Sequence, residues 1–442
     1  MTPHRATAVP ALALPPHLWQ EIARGTPRRD TLDLLRRARA GRNLLLLRAL
    51  HRELRGGHRW TAATELLATV RRDAPAVFGG LIAGPVAGTV LADAVRGRGP
   101  GAVPALAATA AHLARVPFRL DLPVHGGALI LPGLGQATVG AAARTALVVG
   151  GPAGTTVRVP GARLTVPVPE EPERPVPGWR AVPCLRLTAH EVHLTVRLDS
   201  GSRPWPRAAH PLTPADHERW SRRLAAAWER LVTRHPDRAR TVGGTVRVVV
   251  PLEEAAPGPR RDGGWSSASF SDAVGLVALA PVEDPAELAA ALVHETQHSL
   301  LYALQDLTPL LDAPRGAYGP APWSDRPRPP AALLQGIGAF LVTAGFWRDE
   351  ARLGHRPAAA SYERWRNTAG DVAEQLVRRG WLTGNGRLFL DAVRDVLAEW
   401  EAGPPAEAGP RVEAGPPAAA GRPRSAGVVA GTTTAVGPER DR

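Results

Sequence analysis

Cysteine is almost missing from this 442-residue chain, with Cys184 the only one. A single thiol excludes an internal disulfide and any zinc cluster built on cysteines, fits a reducing cytosol, and leaves histidines and carboxylates to hold any metal. Lysine is missing altogether, so all 54 basic residues are arginine, beside 45 glycines and 45 prolines. That usage is how a GC-rich genome writes proteins. The net charge of +13 therefore owes part of its size to codon bias and is a weak argument for a nucleic-acid partner. Aromatic residues are only 5% of the chain. The arginines at 28, 29, 36, 37, 39, 42, 48, 52, 55 and 59 interleave with leucines instead of aromatics, and no DNA- or RNA-binding motif accompanies them. A solvated helix face is the expectation there, with no nucleic-acid partner.

Clean hydrophobic runs are also scarce. One uncharged stretch, Ala74 to Ala92, is near the length of a membrane span, but Pro75, Pro85, Gly79, Gly80, Gly84 and Gly88 break it. It reads as two short buried helices meeting at Gly84-Pro85. Near the N-terminus, Ala6 to Leu14 is interrupted by Pro10 and followed by Pro15 and Pro16, with no small-residue cleavage site, so a secretory signal is not expected. Together these features predict a cytoplasmic protein with no membrane segment.

What is present is a globular composition, 44% hydrophobic and 21% charged, long enough for two or three packed units. The patterning predicts an α+β fold. Residues 15–117 read as a helical N-terminal domain, with leucines from Leu32 to Leu50 at helical spacing. Residues 118–260 read as a β-rich middle segment, with short runs such as Ala128 to Leu131, Ala146 to Val149 and Val192 to Leu198 between Gly and Pro turns. Within it, Leu212 to Arg234 reads as a helix opening at Thr213-Pro214, and Val246, Val248 and Val250 alternate across a strand. Glycines 133, 135 and 140 read as tight turns, and His190 and His193 as opposite faces of one strand. Residues 261–401 are expected to be mostly helical. Three copies of Glu-Ala-Gly-Pro, at Glu401, Glu407 and Glu413, lie in a Gly/Pro/Ala-rich tail, 402–442, that is expected to be disordered.

The chemistry concentrates after Trp265. Ser266 to Ala280 reads as a strand or strand pair leading into a helix marked by Asp284, Pro285 and Glu287 and running from Leu288 to about Leu304. That helix is apolar on nearly every face, yet it contains His294-Glu295-Thr296-Gln297-His298. In this HExxH arrangement the spacing of four puts both imidazoles on one helical face, able to converge on one divalent metal while Glu295 reaches a bound water or substrate. A His–Glu core pair without metal is the bland alternative, but burying these groups without partners costs several kcal/mol each.

Two imidazoles need a further ligand. Leu301 and Leu304 occupy the positions where a metzincin carries Gly and His, and Asp349, Glu350 and His355, near the end of a second apolar helix at about Ala331 to Arg348, are the remaining candidates. Each of these reads more readily as a solvated surface residue. Between the helices, Thr308 to Pro330 reads as a Pro/Gly-rich loop, and Trp265, Trp323 and Trp347 flank the region as groove or core.

With these residues in place, the chain resembles the HExxH-motif peptide-modification proteins of ribosomally synthesised peptide natural-product clusters, some of them fused to radical SAM maturases. The likeness covers Arg36 to Leu50, Pro75 to Val90, Leu122 to Ala137, Ser266 to Leu310 and Pro322 to Arg348, and so spans about Pro15 to Glu401. It implies an Fe(II)- and 2-oxoglutarate-dependent hydroxylase of the β-carbon of a precursor-peptide residue, with His294 and His298 as iron ligands. The family pattern carries a His where this chain has Phe340, which cannot ligate metal. If the resemblance holds, Arg326 and Arg328, before the second helix, are candidates for the oxoacid's distal carboxylate. The competing readings are a zinc metallopeptidase using Glu295 as general base, and a peptide-binding relative without catalysis.

Overall fold

The computed structural model describes residues 14–54, 57–99, 101–161, 163–171, 174–200, 212–253, 266–402 and 429–430. The tail beyond 402, apart from 429–430, and Trp265 lie outside them. The fold is α+β. Six helices come first: α1 (Pro16–Arg24), α2 (Arg29–Glu53), α3 (His58–Asp73), α4 (Pro75–Ala83), α5 (Pro85–Val95) and α6 (Ala102–Ala114). The uncharged stretch is thus two helices meeting at Gly84-Pro85, bent by 66°, because proline cannot continue a helix that already runs into it.

Strands follow. β1 (Phe118–Pro123), β2 (Ala128–Leu131), β3 (Gly135–Thr138), β4 (Thr145–Gly151), β5 (Gly154–Arg158), β6 (Thr165–Val168) and β7 (Trp179–Ala181) form two antiparallel sheets, ordered β1-β4-β5-β6 and β2-β3-β7. Alternating burial along β1 and β6 shows one face on the core and one in solvent. β8 (Cys184–Ala189) and β9 (Val192–Leu198) form a hairpin whose turn is His190-Glu191, both at positive φ (43° and 64°). His190 is therefore a turn residue and shares no strand with His193, a correction to the sequence reading.

Helix α7 (Pro214–Arg234) starts in a capping box between Thr213 and Asp216, and α8 (Pro236–Thr245) leads to β10 (Val248–Pro251). Beyond it come β11 (Ser266–Ser269), β12 (Leu276–Leu279) and α9 (Pro285–Gln305). β10 pairs in parallel with both β9 and β12, and both of its faces are buried: Val249 in the helix-packed core, Val248 and Val250 in a small cluster with Leu252, Leu276 and Ala278. Val248 and Val250 share one face as expected, but Val249 on the other face is buried too, and Val246 caps the end of α8 instead of joining the strand. The Pro/Gly-rich segment after α9 is more ordered than a loop, holding a hairpin of β13 (Gly319–Ala321) and β14 (Ser324–Arg328). Then α10 (Pro330–Arg352), α11 (Ala358–Arg378) and α12 (Gly384–Ala402) complete the helices, and β15 (Val429–Ala430) adds to the edge of the six-stranded sheet, β15-β11-β12-β10-β9-β8.

Two main apolar cores result. One packs the end of α2 and α3 to α6 against β1 to β7; the other joins α1, the start of α2, β8 to β10, β12 and α7 to α12. Helix α10 is apolar and long enough to cross a membrane, but 94% of its apolar window is buried inside the fold. It packs on α9 and α11. Gly336 and Gly338 permit the close approach: a Cβ at Gly338 would stand 2.5 Å from Leu301, and one at Gly336 would stand 2.6 Å from the Trp323 ring. Helix α2 bridges the cores with Leu35 in one and Leu50 in the other. Between them Arg39 is only 2% exposed and pairs with Asp306, while Arg42 pairs with Asp272 and Asp306. These two arginines face inward, unlike the solvated face the sequence suggested.

Candidate metal centre

Asp284 caps α9 by accepting the Ala286 N–H, and the helix then runs through the core with almost every residue from Ala286 to Leu304 buried. His294, Glu295 and His298 are each 2% exposed or less. Their ligand atoms lie within 4.8 Å of one another, the only such His/Cys/Asp/Glu group among the described residues. The one-turn spacing in the sequence is the cause: residues four apart on a helix stack on one face.

Helix α10 supplies what orients the rings. Thr343 Oγ1 donates to the Ala339 carbonyl at 2.7 Å, so its lone pairs remain to accept from His294 Nδ1, 3.2 Å away. Gln335 Oε1 accepts from His298 Nδ1 at 2.9 Å. With Thr343 and Gln335 accepting at Nδ1, the two Nε2 atoms face the same space, 3.2 Å apart. Burial, and then the neighbouring His298, hold the His294 pKa well below the usual histidine value, so it stays neutral.

Two facing lone pairs without a positive charge between them repel. A divalent cation relieves this, because nitrogens at about 2.0–2.1 Å from one ion can stand at this separation. The outer hydrogen bonds to Thr343 and Gln335 are the kind that fix metal-ligating histidines. Glu295 adds a buried carboxylate whose Oε1 accepts from Ser267 on β11. Burial raises the Glu295 pKa, against the opposing pull of His298 and of the Ser267 and Ser269 hydroxyls. The donor set therefore fits a divalent metal, with Glu295 available as third ligand or as the base beside a bound water.

The other sequence candidates fall elsewhere. Phe340 is 1% exposed and lies against His294, with its ring sandwiched between Trp323 and Trp365. Glu350 is fully buried, which corrects the expectation of an exposed helix end, but its carboxylate is held by Arg230, Arg234 and His235 and is not free to bind a metal. Burial alone would raise its pKa; hydrogen bonds from His235 and Arg230 and the charge of Arg230 lower it to about 2. Asp349 faces Arg238 and His235, and His355 stacks on Trp347. Arg326 is exposed in an open groove with Asp325, Asp371 and Arg378. Arg328 ends β14, two residues before α10, and its Nε is buried without an acceptor.

Four contributors went unread in the sequence: Ser267, Gln335, Thr343 and Tyr302, whose ring stacks on His298 at 6.4 Å. A signal existed for three of them. Tyr302 continues the histidine face by another turn, and Gln335 and Thr343 are polar residues eight apart, two turns along an otherwise apolar helix.

No known protein family matches this chain, and no curated protein matches it. The functional reading therefore rests on the motif, its setting and the residues around it.

Proposed function

We propose that this chain is a mononuclear metal enzyme that modifies a peptide, with His294 and His298 as ligands through Nε2 and Glu295 beside them. The observation that carries this reading is the pair of Nε2 lone pairs turned toward each other at 3.2 Å by acceptors on a second helix. Two histidines and one carboxylate are also the ligand set of non-haem Fe(II) oxygenases. With the sequence resemblance, this favours Fe(II)- and 2-oxoglutarate-dependent hydroxylation of a precursor peptide in the cytoplasm, with a radical SAM maturase as a candidate partner.

A bound ferrous ion with its oxoacid supplies the oxygen-activating redox chemistry. The chain's own residues bind and orient. Thr343 and Gln335 fix both imidazoles, the Ser267 hydroxyl holds one oxygen of Glu295, and Phe340 with Trp323 and Trp365 keeps water from that side. Of the two β14 arginines, Arg328, whose Nε is buried without an acceptor, is the better candidate for an oxoacid carboxylate than exposed Arg326. Support for a peptide substrate comes from β11. Among the described residues its outer edge carries only the two-residue β15, paired in parallel with Ser266 and Ser267, so an extended peptide at that edge would pair beside the serine that holds Glu295.

A zinc hydrolase is the second reading, favoured by the raised Glu295 pKa, which suits a general base. One experiment separates them. The apoprotein is titrated anaerobically with Fe(II) and then 2-oxoglutarate, and the visible charge-transfer band of an iron–oxoacid chelate is followed. The band, lost in His294→Ala, is the expected result. Its absence together with tight zinc binding would replace the oxygenase with the hydrolase.

A further inference from the structure

One turn joins the N-terminal helices to the candidate metal centre. Residues 270–275, between β11 and β12, lie against α2 and α5. Arg39 Nη2 donates to the Ser271 carbonyl at 2.6 Å, and Arg42 and Arg96 each take one carboxylate oxygen of Asp272. The backbones are seated as closely as the charges. A Cβ at Gly88 on α5 would overlap the Asp272 carbonyl oxygen, so only glycine lets the helix lie there.

Both ends of this turn run into the centre. Strand β11, which enters it, carries Ser267, the donor to Glu295 Oε1. Where the turn ends, the Gly275 N–H donates to Ser299 Oγ at 3.2 Å, and Ser299 follows His298 on α9. Arg39 and Arg42 also reach the end of α9 directly through Asp306, at 3.0 and 3.4 Å. The two arginines thus grip both elements that build the centre, β11 with its hydroxyl and α9 with its imidazoles. Arg39 is 2% exposed, and the Asp272 and Asp306 carboxylates are mostly shielded, so salt screens these pairs little. Buried ion pairs add little stability over apolar packing, so a geometric role explains three arginines converging here better than a stabilising one.

We propose that Asp272 is a positioning residue of the metal centre: gripped by Arg42 and Arg96, it fixes β11 against α9 so that Ser267 holds the Glu295 carboxylate in place beside the two imidazoles. The N-terminal helices then act on the centre without touching it. Asp272 has this role only if His294, Glu295 and His298 hold a metal, so the proposal rests on that reading.

The test titrates the full chain with Co(II), whose visible bands report both affinity and ligand geometry. Asp272→Asn, which keeps the side chain's shape, should lower Co(II) affinity by about fivefold and shift the bands. Ser267→Ala should do the same, and the double variant should be no weaker than Ser267→Ala alone, because both act through one hydroxyl. Gly88→Ala, which presses α5 on the turn without changing any charge, should weaken Co(II) as Asp272→Asn does. Glu350→Gln breaks a buried ion-pair cluster away from this turn and should leave affinity and bands unchanged, which separates positioning from lost stability. Co(II) bound equally well by wild type and Asp272→Asn, an equal loss in Glu350→Gln, or additive losses in the double variant would each overturn the positioning role alone. A wild type that binds no Co(II) would remove the metal reading, and the positioning role with it.

Discussion

The ring of Phe340 lies 5.5 Å, centroid to centroid, from that of His294, inclined to it by 55°. Residue 340 therefore faces the metal helix, one turn before Thr343, whose hydroxyl holds His294. A histidine there is positioned to join the two existing imidazoles. Phe340→His should tighten divalent metal binding by about tenfold or more, about 1.4 kcal/mol, measured by competition with a chelator. Unchanged affinity would show that position 340 does not reach the metal.

Thr343 and Gln335 act on the metal only through the rings they orient. Thr343→Val and Gln335→Leu should each lower metal affinity by about 10–100-fold while leaving a folded protein. Circular dichroism checks the fold and chelator competition the affinity. Full affinity in both variants would mean the ring tautomers are set by something else.

Glu350 separates stability from metal binding. Its carboxylate is the common partner of Arg230, Arg234 and His235, so Glu350→Gln should cost about 3–5 kcal/mol of stability, the loss seen when one side of a buried ion pair is removed. Metal affinity should be unchanged, since that carboxylate is already engaged. The folded pKa of about 2 lies below the unfolded value of 4.5. The native state thus binds fewer protons, and the stabilisation is complete above pH 4.5 and is lost as pH falls from there toward 2. Denaturant titrations across this window should show the wild type losing stability and Glu350→Gln losing less. A variant that loses metal instead would restore Glu350 as a ligand.

Gly338 tests the contact between α9 and α10. In an open helix Gly→Ala is stabilising by roughly 0.5–1 kcal/mol, but here the new methyl would meet Leu301. Gly338→Ala should therefore destabilise by about 1–3 kcal/mol, as overpacking does, and lower metal affinity by shifting Gln335 and Thr343. A more stable variant would contradict this packing.

Much of this arrangement was legible in the sequence, because its causes are local. The capped start of α9 at Asp284-Pro285, the break at Gly84-Pro85, the Thr213 cap of α7 and the one-turn spacing of His294 and His298 depend on neighbours a few residues apart. What escaped depends on distant partners. Arg39 reads as one of many surface arginines until Asp306, far along the chain, comes beside it. Glu350 reads as a surface acid until α7 brings Arg230 and Arg234. β10 reads as an amphipathic strand until separate clusters of distant residues cover both its faces. The grouping of β1 to β7 with α3 to α6 is likewise a product of packing, since the change from helix to strand near residue 117 marks a change of element and not the limit of a core.

The central claim is a divalent metal between His294 and His298. It is tested most directly by anaerobic equilibrium dialysis of the purified chain against Fe(II), and separately against Zn(II), followed by elemental analysis beside His294→Ala and His298→Ala. The account predicts about one metal per chain in the wild type and loss of it in both variants. A folded wild type that retains no more metal than the variants would contradict it.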